Sequence, residues 1–291
     1  MVRLAQRVDS FHTSDFQEIF RKQQTIVDPI DLSIGIPEEL TPEHIKAAGI
    51  TAIKTDKTFY TPSNGIAELR RAIATKLESE NDLRVDSDQI SVTPGLTTGL
   101  FLVYLALLDS GDEVLVIDPY YPPYAHLANA IGARAITVPC LDTFQPDIDA
   151  IEKAITPRTK AITINSPNNP TGAVYSKSSL LHIASIAEKH NLYIISDEIY
   201  EHFSDSGAHF SVGSNYANTI TLNGFSKAYA MTGWRLGYIV GPQEVVDAIN
   251  KLQQYIVFSS SSIAQYAALS ALTHPRDLAQ VYHHKREYTI S

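Results

Sequence analysis

Short apolar segments alternate with helical segments along most of the chain, and this alternation constrains the fold more than any other feature. Residues 64–80, 96–108 and 176–190 have the composition and length of helices. The apolar runs have the length of buried strands and lie at 89–93, 113–117, 133–138, 160–164, 192–195, 219–222 and 236–240. The pattern predicts an α/β fold, in which a mostly parallel central sheet is sandwiched by helices.

Polar and glycine-containing segments follow five of the predicted strands. They lie at 93–99, 118–124, 165–172, 197–200 and 223–227. In sheets of this kind, ligands bind beyond the carboxyl ends of the strands. The five segments are therefore expected to meet at one edge of the sheet and to form one composite site.

Composition excludes several classes of function. With 23 basic and 32 acidic residues, the chain has a formal net charge of −9, which argues against nucleic-acid binding. No apolar stretch has the length of a membrane span, and the N-terminus lacks the apolar core of a secretory signal. The single cysteine, Cys140, suits a reducing compartment, so we expect a cytoplasmic protein. The ten histidines show no metal-binding spacing with carboxylates, and no metal site is predicted.

One lysine has the sequence context of a reactive amine. Lys227 follows an apolar strand, and the only tryptophan, Trp234, comes seven residues later. We expect these apolar neighbours to desolvate Lys227, which would lower its pKa and favour Schiff-base formation. Arg235 lies between Gly233 and Gly237 and is a candidate for binding a phosphate through both guanidinium nitrogens.

The segment from Asn223 to Tyr238, NGFSKAYAMTGWRLGY, resembles the lysine signature of the class I/II pyridoxal-phosphate-dependent aminotransferases, which have fold type I. The resemblance implies that Lys227 holds pyridoxal 5′-phosphate as a Schiff base and that Arg235 binds its phosphate. Many relatives carry a phosphate-binding serine three residues before the lysine, where this chain has Gly224. Ser226 and the loop at Thr97 are the two candidates to replace it, and Ser226 is assigned to the phosphate on this basis.

Two further segments match the family in its usual order. Residues 168–172, NNPTG, resemble a family turn whose asparagine, here Asn169, bonds the 3-hydroxyl of the cofactor and lies beside the substrate. Residues 197–200, DEIY, resemble the segment in which an aspartate pairs with the ring nitrogen and a tyrosine bonds the 3-hydroxyl. This implies catalytic roles for Asp197 and Tyr200 together with Lys227. An anion there keeps the ring nitrogen protonated. The protonated ring can then accept electrons from a substrate carbanion, which the chemistry requires.

The phosphate and the cofactor face have their own candidate residues. Gly95, Leu96 and Thr97 join a strand to a helix and resemble the family's phosphate loop, in which helical N–H groups bind the anion. Tyr121, in DPYYP, resembles the aromatic residue that stacks on the cofactor ring. We also expect cis peptide bonds before Pro170 and Pro119.

The resemblance also extends to the N-terminal third of the chain. Tyr60 resembles a tyrosine that reaches the phosphate of the neighbouring subunit, which implies a homodimer. Gly35, in LSIG, resembles the position that leaves room for the substrate.

We expect three regions: an N-terminal segment over the substrate site at 1–41, the large cofactor-binding domain at 42–273, and the start of a helix at 274–291. The family's C-terminal small domain supplies the arginine that binds the substrate α-carboxylate, and it is expected to be largely absent from this sequence. A fragment, part of a longer chain and a naturally shortened relative all fit this expectation.

The predicted activity is transfer of an amino group between an amino acid and a 2-oxo acid. A β-lyase or cyclising synthase is an alternative, because one cofactor apparatus serves several reactions and the pocket selects among them. A cofactor-binding regulator or pseudoenzyme is a more distant alternative. The sequence does not identify the amino acid.

Overall fold

The computed structural model describes residues 4–5, 7–8, 15–28, 30, 35–204, 209–274 and 278–290. Its helices are α1 Asp15–Gln23, α2 Glu43–Lys54, α3 Ala67–Asn81, α4 Leu96–Leu107, α5 Pro123–Ala130, α6 Ile148–Ala154, α7 Lys177–His190, α8 Gln243–Ile256, α9 Ser262–Leu272 and α10 Leu278–Ile290. Its strands are β1 Ile90–Thr93, β2 Glu113–Asp118, β3 Arg134–Pro139, β4 Thr159–Asn165, β5 Tyr193–Asp197, β6 Thr219–Gly224 and β7 Gly237–Val240. Among these described helices, none combines the length and apolarity that a bilayer crossing needs.

The seven described strands form one sheet in the order β1-β7-β6-β5-β4-β2-β3. The pairs from β3 through β2, β4 and β5 to β6 are all parallel, and β7 runs antiparallel to both of its neighbours. The predicted mostly parallel sheet is therefore confirmed. Parallel strands need crossover connections, and α5, α6 and α7 are the crossovers from β2 to β3, from β3 to β4 and from β4 to β5, which accounts for the alternation in the sequence.

Helices cover both faces of the sheet. On one face, α4, α5 and α8 pack against β-strand side chains such as Val116, Ile195 and Ile239 in one buried cluster. On the other face, α6 and α7 pack against Leu115 and its neighbours. A third cluster joins α2, α3 and α9 to β1 and β7. The sheet is thus buried on both sides, as strands of nearly continuous apolar sequence require.

The predicted elements occur at or close to their predicted bounds. The helix predicted from residue 64 begins later, at Ala67, because Gly65 has a φ of +95° and cannot belong to the helix. Pro242 precedes α8 as its N-cap residue. The division of the chain at residues 41 and 273 stays a prediction.

Candidate active site

The carboxyl ends of the parallel strands surround a cavity of about 490 Å³. Ten residues predicted for the site line it: Gly35, Leu96, Thr97, Tyr121, Asn169, Asp197, Tyr200, Ser226, Lys227 and Arg235. Parallel strands β4, β5 and β6 are neighbours in the sheet, so the segments that follow them meet at one edge. The structure therefore brings together residues that lie as far apart in sequence as Gly35 and Arg235.

Lys227 reaches the cavity from the segment that follows β6, and its side chain is half-buried. Nζ donates a hydrogen bond of 2.5 Å to the carbonyl oxygen of Gly35 and lies 5.7 Å from the centre of the Tyr200 ring. Burial lowers the pKa of Lys227, and the positive charge of Arg235 lowers it further, while Asp197 opposes the shift. A lysine with a lowered pKa is a better nucleophile at neutral pH.

Asp197 is the last residue of β5 and is buried. Tyr124 donates a hydrogen bond of 2.7 Å to Oδ2, and the N–H of Ile199 donates one of 3.2 Å to Oδ1. Burial raises the pKa of Asp197 to about 6, even though these donors and Lys227 act in the opposite direction. Neutral donors thus compensate the carboxylate only in part, and the site favours a cation beside it.

Asn165 and Tyr124 are site residues that the sequence analysis did not assign. Asn165 donates through Nδ2 to the backbone oxygen of Asp197 at 2.9 Å, and its Oδ1 accepts from the N–H of Asn169 at 2.7 Å. It therefore fixes the end of β5 to the turn that carries Asn169. Both residues belong to segments identified as polar strand ends, and that was their only sequence signal.

Tyr200 and Asn169 form the side of the cavity between β4 and β5. Tyr200 is half-buried, and burial together with the negative charge of Asp197 raises its pKa to about 12, while a hydrogen bond with Asn169 acts in the opposite direction. The phenol therefore stays protonated at neutral pH and can donate a hydrogen bond. The peptide bonds before Pro119 and Pro170 are cis, as predicted, and so is the bond before Pro167.

The opposite side of the cavity is suited to an anion. Gly95 has a φ of +79° and precedes α4, whose first N–H groups have no acceptor within the helix. The Arg235 guanidinium lies against this loop: a Cβ added at Gly95 would be 2.6 Å from Nη2. Glycine is needed here both for its backbone conformation and for this close approach. Thr97 and Ser226 place hydroxyl groups on the same cavity.

The structure accounts for glycine at position 224. Gly224 pairs with Gly237 between β6 and β7. A Cβ added at Gly224 would lie 2.9 Å from the Cα of Gly237 and 3.1 Å from the Leu236 oxygen. A serine could not occupy this position without a backbone shift.

Tyr121 also lines this cavity. Its ring meets that of Tyr124 edge to face, with centroids 5.6 Å apart. A second cavity of about 340 Å³ adjoins the first and shares Gly35, Asn169, Tyr200 and Lys227 with it. Gly35 and Asn169, the predicted substrate residues, therefore line both cavities. Residues 32–34 of the predicted LSIG segment lie outside the described residues.

One expectation differs from the structure. Trp234 lines neither cavity and donates from Nε1 to Thr41 Oγ1 at 3.2 Å, so it does not desolvate Lys227. His209 Nε2 lies 3.2 Å from Glu198 Oε2, a contact that the spacing of the histidines in the sequence does not indicate. Tyr60 is 84% exposed and does not line the cavity of its own chain. Its predicted contact with a neighbouring subunit stays a prediction.

Comparisons with known proteins agree with this geometry. Residues 27–290 match the sequence profile of the family described as aminotransferase class I and II. The chain is 46% identical over 250 residues to a probable aspartate/prephenate aminotransferase of Thermus aquaticus, which covers 85% of this chain. The matched region spans only 65% of the length of that relative.

Solved structures give the same result. An aspartate aminotransferase from Thermus thermophilus with maleate is 42% identical and superposes with a TM-score of 0.91, over 97% of this chain and 75% of the other. The aspartate aminotransferase from Rhizobium meliloti is 33% identical, with a TM-score of 0.94 over 99% and 76% of the two chains. The chain therefore belongs to the class I and II aminotransferase family, and its sheet is the fold-type-I sheet of that family.

Proposed function

We propose that the protein is a pyridoxal-phosphate-dependent aminotransferase that moves an amino group between an amino acid and a 2-oxo acid. The observation that carries the proposal is one cavity lined by both a lysine of lowered pKa, Lys227, and a buried aspartate, Asp197. We place the reaction in the cytoplasm, because a chain whose one cysteine is Cys140 suits a reducing compartment.

Members of this family use pyridoxal 5′-phosphate, and the residues of the cavity fit that group. The cavity of about 490 Å³ is within the usual range for small-ligand sites. Arg235, the N–H groups at the start of α4 and the hydroxyls of Thr97 and Ser226 would hold the phosphate. Asp197 would pair with the ring nitrogen, Asn169 and Tyr200 with the 3-hydroxyl, and Tyr121 would cover the ring.

Lys227 has two roles in this proposal. Its amine attaches the cofactor, and after release it carries a proton to and from the substrate Cα as general base and acid. Its lowered pKa makes the neutral form, which accepts the proton, more abundant at neutral pH. The bound cofactor supplies an electron sink for the charge that develops at Cα.

The remaining residues set the electrostatics of the cavity. The Asp197 carboxylate, held by Tyr124 and Ile199, favours a protonated ring nitrogen. Tyr200 and Asn169 orient the 3-hydroxyl. The ring of Tyr200 also lies beside Lys227 Nζ, where it limits the access of water. The β-lyase and cyclising-synthase alternatives use the same residues, and the relatives named above, which are all aminotransferases, do not favour them.

The first test is covalent attachment of the cofactor. The chain is mixed with pyridoxal phosphate and reduced with borohydride, and the modified peptide is identified by mass spectrometry. We expect modification at Lys227 and its loss in Lys227→Ala, whereas Lys251→Ala, at an exposed lysine of α8, behaves as the unmodified protein. Attachment at another lysine would refute the assignment.

The second test is amino transfer. Amino acids are supplied singly, beginning with aspartate. The loss of the absorbance of the Lys227-bound cofactor is followed together with the release of 2-oxo acid. Stoichiometric 2-oxo acid with conversion of the cofactor to its amine form supports transfer. Ammonia release without that conversion would instead indicate a lyase.

We further propose that the active unit is a homodimer in which Tyr60 reaches the phosphate site of the partner. Phe59 and Tyr60 are 78% and 84% exposed, and the Tyr60 ring lies 4.6 Å from that of Phe258, itself 50% exposed. Tyr255, on the neighbouring end of α8, is 90% exposed. Large apolar side chains exposed together are typical of an interface.

Subunit mixing tests the crossed arrangement. Lys227→Ala and Tyr60→Ala subunits are each expected to be impaired as homodimers. A mixed dimer contains one site with an intact lysine from one chain and an intact tyrosine from the other, so exchange should restore activity. If Tyr60 acted within its own chain, no mixture would recover activity, because every site would lack one of the two residues.

A further inference from the structure

Directly behind the active site, a second set of polar side chains surrounds Glu201 and is not used by the proposed reaction. Glu201 follows Tyr200 in sequence, lies in the 3₁₀ turn Glu201–Phe203 and is 6% exposed. We propose that Glu201 is a positioning residue, which fixes the segment carrying Asp197 and Tyr200 to the segment carrying Lys227. This inference rests on the proposed function and adds a residue to it.

The carboxylate of Glu201 is surrounded by four donors, and we call these five residues the Glu201 cluster. Lys76 and Asn223 donate to Oε1, the latter at 2.8 Å, and Asn81 donates to Oε2 at 2.6 Å. His202 lies 3.1 Å from Oε1 through Nε2. The donors come from α3, β6 and the 3₁₀ turn, so one side chain connects three elements that are distant in sequence.

The cluster is electrostatically balanced despite its burial. Burial by itself raises the pKa of Glu201, but the charge of Lys76 and the contacts with His202 outweigh it and hold that pKa well below its ordinary value. The carboxylate is therefore ionised and accepts all of its hydrogen bonds at neutral pH. A fully satisfied buried network of this kind restricts the positions of the backbones that carry it.

Both halves of the active site are attached to this carboxylate. Tyr200 is the preceding residue on one side. On the other, Asn223 lies four residues before Lys227, and its Oδ1 accepts from the N–H of Gly224 at 2.7 Å, at the end of β6. A backbone hydrogen bond of 2.9 Å from Glu198 to Leu222 is the adjacent connection between the same segments. Glu201 thus acts on the spacing between Asp197 and Lys227 without touching the cavity.

A second buried carboxylate, Glu198, adjoins the Glu201 cluster. Glu198 accepts from Ser196 at 2.8 Å and Ser211 at 3.0 Å, and His209 Nε2 lies 3.2 Å from it and 4.0 Å from Glu201. The three groups could together surround a cation. The Lys76 ammonium already neutralises Glu201, so the observed contacts require no metal.

Glu201→Gln is the informative substitution. A glutamine has the same shape but only one acceptor oxygen, so it leaves buried donors unpaired and turns its own N–H groups toward them. We expect the affinity for pyridoxal phosphate to fall about tenfold, which corresponds to about 1.4 kcal/mol of binding free energy, because the segments that carry Asp197 and Lys227 are no longer fixed to each other. The absorbance of the Lys227-bound cofactor should titrate at a shifted pH, because Lys227 and Asp197 are no longer held at the same spacing.

Glu113→Gln is the matched control. Glu113 is also a buried carboxylate with an arginine and a hydroxyl as partners, but it lies at the amino end of β2, away from the cavity. Glu113→Gln should lower thermal stability and leave both the affinity for pyridoxal phosphate and the titration midpoint of the bound cofactor unchanged. If Glu201→Gln did the same, Glu201 would be a stability residue only and the proposal would be wrong.

Asn223→Ala provides the decision if Glu201→Gln does not fold, because it removes the connection to β6 and leaves Lys76 and Asn81 paired with Glu201. A weaker affinity and a shifted midpoint in this variant support positioning, and unchanged values overturn it. Failure of the unmodified protein to attach pyridoxal phosphate would overturn the proposed function and this inference together. Normal attachment by the unmodified protein with no effect of either variant would overturn the inference alone.

Discussion

Two buried carboxylates at opposite ends of the sheet have opposite electrostatics. Glu113 begins β2 and is 2% exposed, and Asp197 ends β5 and is 5% exposed. A hydrogen bond from Thr156 and the contacts with Arg158 hold the pKa of Glu113 below its ordinary value. The pKa of Asp197 is instead raised to about 6. At similar solvent exposure the two pKa values therefore shift in opposite directions: burial is the largest influence on Asp197, whereas the hydrogen bond from Thr156 outweighs it at Glu113.

The difference lies in the partners. Glu113 receives a guanidinium at 2.9 Å, so its charge is neutralised within the protein. Asp197 receives a phenol and a backbone N–H, which are neutral. An incompletely compensated carboxylate beside a cavity lowers stability and favours binding of a cationic group, which is the common compromise of active sites. Glu113 at the amino end of β2 is thus neutralised within the protein, whereas Asp197 at the carboxyl end of β5 is suited to binding a cationic group.

Replacing Asp197 should produce the largest effect. We expect Asp197→Asn to lower kcat by about 10²–10³-fold, since in the proposed function it removes the anion that would stabilise the charge of the cofactor ring. The free energy of unfolding should rise at pH 7, because a poorly compensated charge is removed from the interior. Steady-state kinetics and urea denaturation measure the two quantities. A simultaneous loss of stability would show that the carboxylate is structural, as Glu113 is.

The pH dependence of stability should distinguish the same two residues. Asp197 has a folded pKa of about 6 against an ordinary value of 3.8, so the native state binds the proton more tightly. Its contribution therefore decreases stability as pH rises from about 4 to about 6, by about 3 kcal/mol in all. Glu113 has the opposite sign: its contribution is present above its unfolded pKa and is lost as pH falls through its folded pKa.

Denaturation at a series of pH values measures these slopes. Relative to the unmodified protein, Asp197→Asn should remove the decrease between pH 4 and 6, and Glu113→Gln should remove the increase at lower pH. If the two variants changed the pH dependence of stability in the same direction, Glu113 and Asp197 would not have opposite electrostatics.

The sequence predicted which residues lie at the carboxyl end of the sheet better than it predicted the order and direction of the strands. Lys227, Asp197 and Asn169 each follow an apolar run with turn residues behind it, and parallel strands place such segments at one edge. Local patterns are sufficient for that prediction. The strand order and the antiparallel direction of β7 depend on pairings between distant segments, for which local patterns contain no information.

Contacts across elements could not be predicted for the same reason. Tyr124 reaches Asp197 over 73 residues, and Lys76 reaches Glu201 over 125. A lysine within a helix is normally exposed, so no sequence feature indicated that Lys76 is buried. Trp234 was expected beside Lys227 because of sequence proximity, but it packs against Gly49 of α2.

Glu113→Gln should have a smaller effect than either change at Asp197. Thr156 donates to Oε2 and Arg158 to Oε1, and the amide can accept only one of these. The arginine side chain is 60% exposed and can be solvated by water, so the loss of stability should be only about 1–2 kcal/mol. Urea denaturation measures it at pH 7, with cofactor attachment as the control. Impaired attachment would show that the amino end is coupled to the site.

The smallest effect tests how Asp197 retains its charge. The hydrogen bond of 2.7 Å from Tyr124 to Oδ2 lowers the pKa of Asp197. Tyr124→Phe removes this bond, so the pKa of Asp197 should rise above 6 by up to about one unit. In the proposed function, cofactor affinity requires the ionised form of Asp197, so the pH at which affinity is lost on acidification should move upward equally. Tyr104→Phe is the matched control, because Tyr104 is as deeply buried but bonds Thr163, and it should leave the midpoint unchanged. An equal shift in both variants would assign the effect to packing, and no shift in Tyr124→Phe would mean that burial alone determines the charge of Asp197.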